Sequence, residues 1–324
     1  MKTLLNILII ILALTLLYIL IYPQYQEGKV YELKIGVDNS VGSLIPYLAE
    51  AKGFFQGQKL KPVYFYSEDP DYLYDKLLSQ EIDLAVLPWS TVLKRVCEKN
   101  ESVKVFISSD FRTGIPVDGF FIHPKEKIKS LKDLKGKKLG IPPALKEIVP
   151  IILTENGVKP TEVLTFELPQ SEILNKIKNH ELAAGILWEP YRTQAIKEGL
   201  VLLLDGFLPK SIITPYPGCL YALNPLLFRQ RRRVAIRIKI ATDMAITIID
   251  KEAPQVRKIF LTRLNLDPEQ LADFNLPEFQ KLTGINEAQI SSYLLYLVDK
   301  GVIDKERTQG VKIKNLLAEP VAFQ

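Results

Sequence analysis

The sequence predicts an α/β protein of two lobes, and three observations carry that prediction. A chain of 324 residues is long enough for two lobes of roughly 100 to 150 residues, each with its own core. From residue 31 onward, short strand-like runs alternate with helical ones, the β-α-β pattern of a parallel sheet with right-handed crossovers. Finally, the stretch 128–143, IKSLKDLKGKKLGIPP, reads as the place where one lobe ends and a second begins. Ser130 and Asp133 have capping-box spacing, Leu131 and Leu134 share an apolar face, and Gly136 ends the turn. Leu139 to Ile141 then form a brief buried-strand signal closed by Pro142 and Pro143.

At the amino end, Lys2 precedes an apolar run over residues 4–22, broken by Asn6, Thr15 and Tyr18 and followed by Pro23. At ~1.5 Å per residue such a run is about long enough to cross a bilayer core. No small-x-small cleavage pattern follows Ala13, so an uncleaved anchor is the reading here, with a long cleaved signal as the alternative. Lys2 places the amino end in the cytoplasm and the remainder outside. Residues 24–29 read as a polar tether.

Taking the chain in order, 31–37 alternates as a strand, and Asp38, Asn39 and Ser40 follow it into a helix over 43–52 that Gly53 ends. In open α/β sheets ligands bind beyond the carboxyl ends of strands. Those three residues are therefore candidates for a pocket, or else simply turn the chain and cap the helix. A second strand over 63–66, a helix over 71–79 and a third strand over 83–87 continue the pattern. Trp89 and Ser90 sit just past that third strand, and Trp89 either stacks on a ligand or covers the core. Strands over 103–108 and 119–122 are expected to complete the first sheet, with Asp118 at the crossover.

Beyond the organising stretch, 144–156 reads as a helix with Leu145, Ile148, Val149, Ile152 and Leu153 on one face. A strand over 165–168, a helix over 171–179 and a strand over 183–187 follow. Trp188, Glu189, Pro190 and Tyr191 come directly after that strand. A carboxylate between two aromatics at a cleft rim suits a cationic or heteroaromatic ligand, although Glu189 and Pro190 are equally good helix-start chemistry. Strands over 201–204 and 212–216 precede a turn at Tyr216 and a last strand over 219–223. This second crossover returns the chain to the first lobe, and two crossovers make a hinge.

The densest basic run, FRQRRRVAIRIK at 228–239, carries apolar positions at helical spacing, Val234, Ile238, Ala241, Ala245 and Ile248. It reads as one solvated face of a buried helix, the alternative being contact with lipid head groups or a partner's acidic surface. Helices dominate from 253 to the end.

Four stretches in order, IGVDNSVGSLIPYLAEAKGFF (35–55), LLSQEIDLAVLP (77–88), SLKDLKGKKLG (130–140) and WEPY (188–191), resemble the substrate-binding proteins of ABC transporters, in the nitrate, sulfonate, taurine and thiamin-precursor branch. The resemblance implies the type II periplasmic-binding-protein fold: residues 30–118 plus 220–324 as lobe 1, residues 119–219 as lobe 2, and a two-strand hinge. It also implies a monomer outside the cytoplasm that clamps a small molecule and passes it to a transporter permease. The expected ligand residues are Asp38, Asn39, Ser40, Trp89, Ser90, Asp118, Trp188, Glu189, Tyr191 and Tyr216, with no catalytic residue, metal or cofactor. Members that bind oxyanions offer small hydroxyl residues and glycine where the helix after residue 141 begins. Pro142, Pro143 and Ala144 stand there instead, and two prolines supply no N–H donors.

Other functions find less support in the residues. A formal charge of +5 without clustered aromatics points away from nucleic acid. The two cysteines, Cys97 and Cys219, read as buried small apolar residues, with pairing in an oxidising compartment as the alternative. Only two histidines, His123 and His180, are present, and no nucleophile elbow, P-loop or GxGxxG occurs. An enzyme on the same fold, or an anchored ligand sensor working through a second membrane protein, are the alternative readings.

Overall fold

The computed structural model describes residue 6 and residues 9–18 and 29–319. Of the expected membrane anchor over 4–22, residues 6 and 9–18 are described, and the tether expected over 24–29 lies outside the described residues up to its last residue. Among those described, no helix is long and apolar enough to cross a membrane.

Two sheets organise the chain. The first has the order β11-β4-β10-β3-β1-β2, built from β1 Tyr31–Val37, β2 Leu60–Tyr66, β3 Leu84–Pro88, β4 Lys104–Phe111, β10 Tyr216–Leu223 and β11 Glu278–Lys281. The second has the order β7-β6-β8-β5-β9, from β5 Asp118–Ile122, β6 Lys138–Ile141, β7 Leu164–Glu167, β8 Ala184–Trp188 and β9 Val201–Asp205. In each sheet a parallel core is extended by antiparallel strands: β1 runs parallel to β2 and β3 while β10 runs against β3 and β4, and β6 runs parallel to β7 and β8 while β5 runs against β8 and β9. The chain leaves the first sheet after β4 and re-enters it at β10, so all of the second sheet lies between those two crossings.

Helices longer than a single turn are α1 Leu44–Ala51, α2 Pro70–Leu78, α3 Trp89–Lys99, α4 Val149–Glu155, α5 Gln170–Lys178, α6 Tyr191–Lys197, Pro225–Gln230, α7 Arg232–Ile248, α8 Ala253–Arg263 and α9 Glu287–Asp299. Within α7, Ala235, Ile238, Ala241, Thr242 and Ala245 are buried; Ile238, Ala241 and Ala245 lie on the face that the helical spacing predicts, with Val234 and Ile248 half-buried at its edge. The turn that opens 128–143 is a 3-10 turn, Leu131–Leu134, with Asp133 accepting from the N–H groups of Lys129 and Ser130 at 2.9 Å each.

Four expectations need correction. Residues 119–122 do not complete the first sheet, because β5 pairs with β8 and β9 of the second. No strand forms over 212–215: a helical turn, Phe207–Ser211, ends just before it, turn and bend residues follow, and β10 starts only at Tyr216. The helix expected over 144–156 is broken into a 3-10 turn, Pro143–Leu145, and α4. Pro150 has no N–H to bond one turn back, which confines it to a helix's first turn. Finally, β11 was hidden among helices; four residues on the sheet edge carry too short a pattern to read.

Close packing of α5 on the second sheet depends on two glycines. Gly140 of β6 and Gly185 of β8 are register partners, and a Cβ added at Gly185 would lie 2.5 Å from Ile173 Cγ2 and 2.8 Å from Ile177 Cδ1. Gly185→Val is expected to lower the urea unfolding midpoint of the full-length protein, by about 1–3 kcal/mol of overpacking strain. An unchanged midpoint would show that α5 is free to shift.

Candidate ligand cleft between the two sheets

Parallel pairing of β1 with β2 decides which residues meet at the carboxyl ends of the strands. Val37 is the register partner of Tyr66, so the residues that follow, Asp38 on one strand and Ser67 and Glu68 on the other, emerge side by side. Pro88 ends β3 on the other side of β1, and from the second sheet come Ala144 and Leu145 after β6 and Trp188 at the end of β8. Together with Phe111, Tyr216, Gly218 and Cys219 from the two crossings, these residues line one cavity. Its position is where ligands of open α/β sheets bind.

The wall is acidic and aromatic. Asp38 Oδ1 accepts from Ser43 Oγ at 2.7 Å, Ser40 Oγ at 2.8 Å and the Ser40 N–H at 3.1 Å. Its Oδ2 accepts no hydrogen bond from another residue. Glu68 Oε1 accepts a long bond, 3.4 Å, from the Asn39 N–H, and the Asn39 side chain also bonds the carboxylate. Burial and then the neighbouring Asp38 push the Glu68 carboxyl up to about 7. Asp38 is raised as well, by burial, against the opposing pull of its two serine hydroxyls. No lysine, arginine or histidine lines the cavity. Phe111 packs edge-on against Trp188 at 6.0 Å and tilted against Tyr216 at 5.9 Å, and the Trp188 Nε1–H is buried without a hydrogen-bond partner.

Most backbone amides around the cavity are already bonded. Successive N–H groups from Asp38 to Ser43 are all taken, by Ser43 Oγ, Glu68, Asp38, the Glu189 carbonyl, Ser40 Oγ and the Ser40 carbonyl in turn. Across the cavity the Leu145 and Lys146 N–H groups close the 3-10 turn on Pro142 and Pro143. A helix start with free donors is an anion site; the first of these starts is spent, and the second begins with two prolines that have no N–H to offer.

The cavity is tight, about 30 Å³, enough for a water-sized occupant. Anything larger enters only when the two sheets separate. Contacts that hold them together sit around the rim: Lys146 Nζ to Asp71 Oδ2 at 2.7 Å, Lys94 Nζ to Glu147 Oε1 at 2.6 Å, and the Val41 N–H to the Glu189 carbonyl at 3.2 Å. Both ion pairs are partly exposed, a class worth ~0–1 kcal/mol each, so the rim closes the cleft without locking it.

Of the residues expected from sequence, Asp38, Ser40, Trp188 and Tyr216 line the cavity. Asn39 and Tyr191 line an adjoining groove with Tyr66, Ser171 and Arg263. The other four lie elsewhere. Trp89 is fully buried at the start of α3 and its Nε1–H donates to Ser108 Oγ at 2.9 Å, so it belongs to the core; Ser90 is buried beside it. Asp118 accepts from the Leu208 N–H at 2.7 Å, capping the turn Phe207–Ser211. Glu189 begins α6, where it takes Arg192 Nη1 at 2.9 Å and the Thr193 N–H and hydroxyl at 3.0 Å each, leaving it no free oxygen for a ligand. Burial still pushes Glu189 and Asp118 up to about 7 each.

Sequence reasoning missed Glu68, Phe111, Leu145, Gly218 and Cys219. Pairing β1 with β2 in register would have exposed Glu68; the crossing residues carry no such signal. Both cysteines are free, and burial pushes the Cys219 thiol up to about 12, which makes it an inert wall residue.

A family profile described as NMT1/THI5 like matches residues 42–246. The chain belongs to the NMT1/THI5-like family. Among solved structures it resembles the periplasmic aliphatic sulphonate binding protein SsuA from Escherichia coli, at 15% identity and a TM-score of 0.66 over 91% of this chain and 99% of that one. It also resembles the periplasmic nitrate-binding protein NrtA from Synechocystis PCC 6803, at 14% identity and a TM-score of 0.67 over 90% and 92%. A third likeness, to the desulfurization enzyme DSZB, has 11% identity and a TM-score of 0.62 over 90% and 97%. No curated protein matches the sequence. At these identities the likenesses establish the fold, the α/β periplasmic-binding-protein architecture. Binding components of import systems and an enzyme both occur on it.

Glu68 makes stability depend on pH in a direction that can be checked. A carboxyl whose folded pKa lies above its unfolded value stabilises the fold fully below the unfolded value, near 4.5, and loses that contribution as pH rises through about 7. The ligand-free protein is therefore expected to melt higher at about pH 5 than at about pH 8, and Glu68→Gln to recover roughly 1–3 kcal/mol at the higher pH. Equal melting of the variant and the natural protein at both pH values would mean that Glu68 is solvated.

Proposed function

We propose that the chain is an extracytoplasmic solute-binding protein, a monomer that captures a small organic molecule in the cleft between its sheets and delivers it to an ABC transporter permease. The observation that carries this reading is the composition of the cavity wall. It takes residues from the strand ends of both sheets and from both crossings, so only the closed arrangement surrounds a ligand, and ligand selects that arrangement. The two crossings, 112–117 and 206–215, are the segments about which the sheets swing. Membership of the NMT1/THI5-like family and the likeness to two periplasmic binding proteins support the same reading.

The carboxylate pair also favours a second reading, an enzyme that uses Glu68 as a general base, since a carboxyl titrating near 7 suits that task and one neighbour of this fold is an enzyme. No nucleophile accompanies it: Cys219 is held protonated, and Ser40 and Ser43 donate their hydroxyls to Asp38. The binding reading asks less of the residues present.

A thermal-shift screen of the full-length protein against nitrate, sulfonates, bicarbonate, pyrimidines, flavins, amines and amino acids tests this. A site specific to the folded state adds about 2.7 kcal/mol at a hundredfold excess over Kd. One class is expected to raise the melting temperature, Trp188→Ala to weaken that ligand at least tenfold, and the ligand to be recovered unchanged. Conversion of the ligand to product supports the enzyme instead; full affinity in Trp188→Ala removes the cleft from the account.

A further inference from the structure

The chemistry of the cavity wall goes beyond binding in general and specifies what is bound; the inference rests on the proposed binding function. We propose that the cleft selects an organic cation, a protonated amine carried on an apolar or aromatic body, with Asp38 and Glu68 as joint counter-ions and Phe111, Trp188 and Tyr216 as the surfaces that hold the body.

Four observations converge on this class. Two carboxylates face one cavity, and no side chain lining it carries a positive charge. The nearest lysine on the wall loops, Lys146, is tied to Asp71 at 2.7 Å on the rim. Asp38 takes hydroxyls and N–H groups only from its own loop, Ser40 and Ser43, and Glu68 is bonded by Asn39 alone, so neither carboxylate has a positively charged donor. Finally, the amides from Asp38 to Ser43 and those of Leu145 and Lys146 are bonded internally, so an oxyanion would meet two acids and few donors, the buried Trp188 Nε1–H among them.

Buried, uncompensated carboxylates are costly, and an ammonium group supplies up to three donors and the missing charge. Aromatic faces add cation-π attraction. The ionisable groups that otherwise bear on Asp38 and Glu68 are Tyr47 of α1, Tyr191 of α6, and Cys219 and Tyr221 of β10. All are phenols or a thiol that burial keeps neutral, so none can stand in for the cation. Before a cation arrives, the pair is relieved by holding a proton on Glu68; an ammonium replaces that proton. Binding therefore releases up to one proton per ligand below about pH 7, and affinity rises with pH.

Calorimetry on the full-length protein tests the class with matched series: primary amines on benzyl, cyclohexyl and isobutyl bodies, each against the alcohol and the sulfonate of the same body. At least one amine is expected to bind ten times or more tighter than its alcohol, with its sulfonate not binding. Its affinity rises severalfold from about pH 5.5 to about pH 8, with proton release read from two buffers of different ionisation enthalpy. Glu68→Gln, checked for native circular dichroism, is expected to weaken the amine at least tenfold and abolish the proton release. Asp38→Asn is less suited as the sole test because Oδ1 organises the loop. Equal or tighter binding of an alcohol or sulfonate overturns the cation assignment while the binding function stands. Amine binding that survives Glu68→Gln with its pH dependence intact overturns it too. Silence across all three series overturns it as well, and silence in the broader ligand screen removes the binding function.

Discussion

The constraint on which the site depends is the placing of two acids at neighbouring strand ends with no basic side chain among the described residues that line the cavity. Strand register is its cause: once β1 and β2 pair in parallel, Asp38 and Glu68 leave the sheet on the same edge. The loop after β1 then folds around Asp38, because Ser40 and Ser43 both turn their hydroxyls onto one oxygen. That commitment consumes the donors that a loop of this kind would otherwise turn toward a ligand. What remains facing the cavity is mainly acceptor capacity, and on this the proposed preference for a cation rests.

Closure follows from the same geometry. With the sheets together, the aromatic cluster of Phe111, Trp188 and Tyr216 fills most of the cleft, and the rim is fastened by exposed ion pairs and one backbone hydrogen bond. Weak fasteners suit the opening that the proposed binding function requires. Stronger interactions are kept within each sheet's own layer, as in the buried set of Glu189, Arg192 and Thr193, where Arg192 also reaches Asp205 at 2.6 Å. Such a set fixes the start of α6 and the end of β9 and leaves the swing between sheets free.

Much of this architecture was legible in the residues. Alternating strand and helix signals located most strands to within a few positions, and the spacing of Ser130, Asp133 and Gly136 identified the turn that leads into β6. Where periodicity was short or ambiguous, reading failed: β11 is four residues long, and β5 carries no mark of which sheet it joins. For the site, the rule that ligands sit beyond strand ends found Asp38, Ser40 and Trp188. The same rule overreached at Trp89, Asp118 and Glu189, whose polar atoms serve helix starts and core hydrogen bonds. Glu68 was invisible because its role depends on a register between strands some thirty residues apart, which local pattern does not encode.

A crystal structure of the full-length protein with a bound primary amine from the matched series tests the central claim most directly. The nitrogen is expected between Asp38 Oδ2 and Glu68, at roughly 2.7–2.9 Å from each as for charge-assisted hydrogen bonds, with its body against Phe111, Trp188 and Tyr216. An amine seated anywhere else, or a lysine or arginine turned into the cavity to neutralise the two acids, would contradict it.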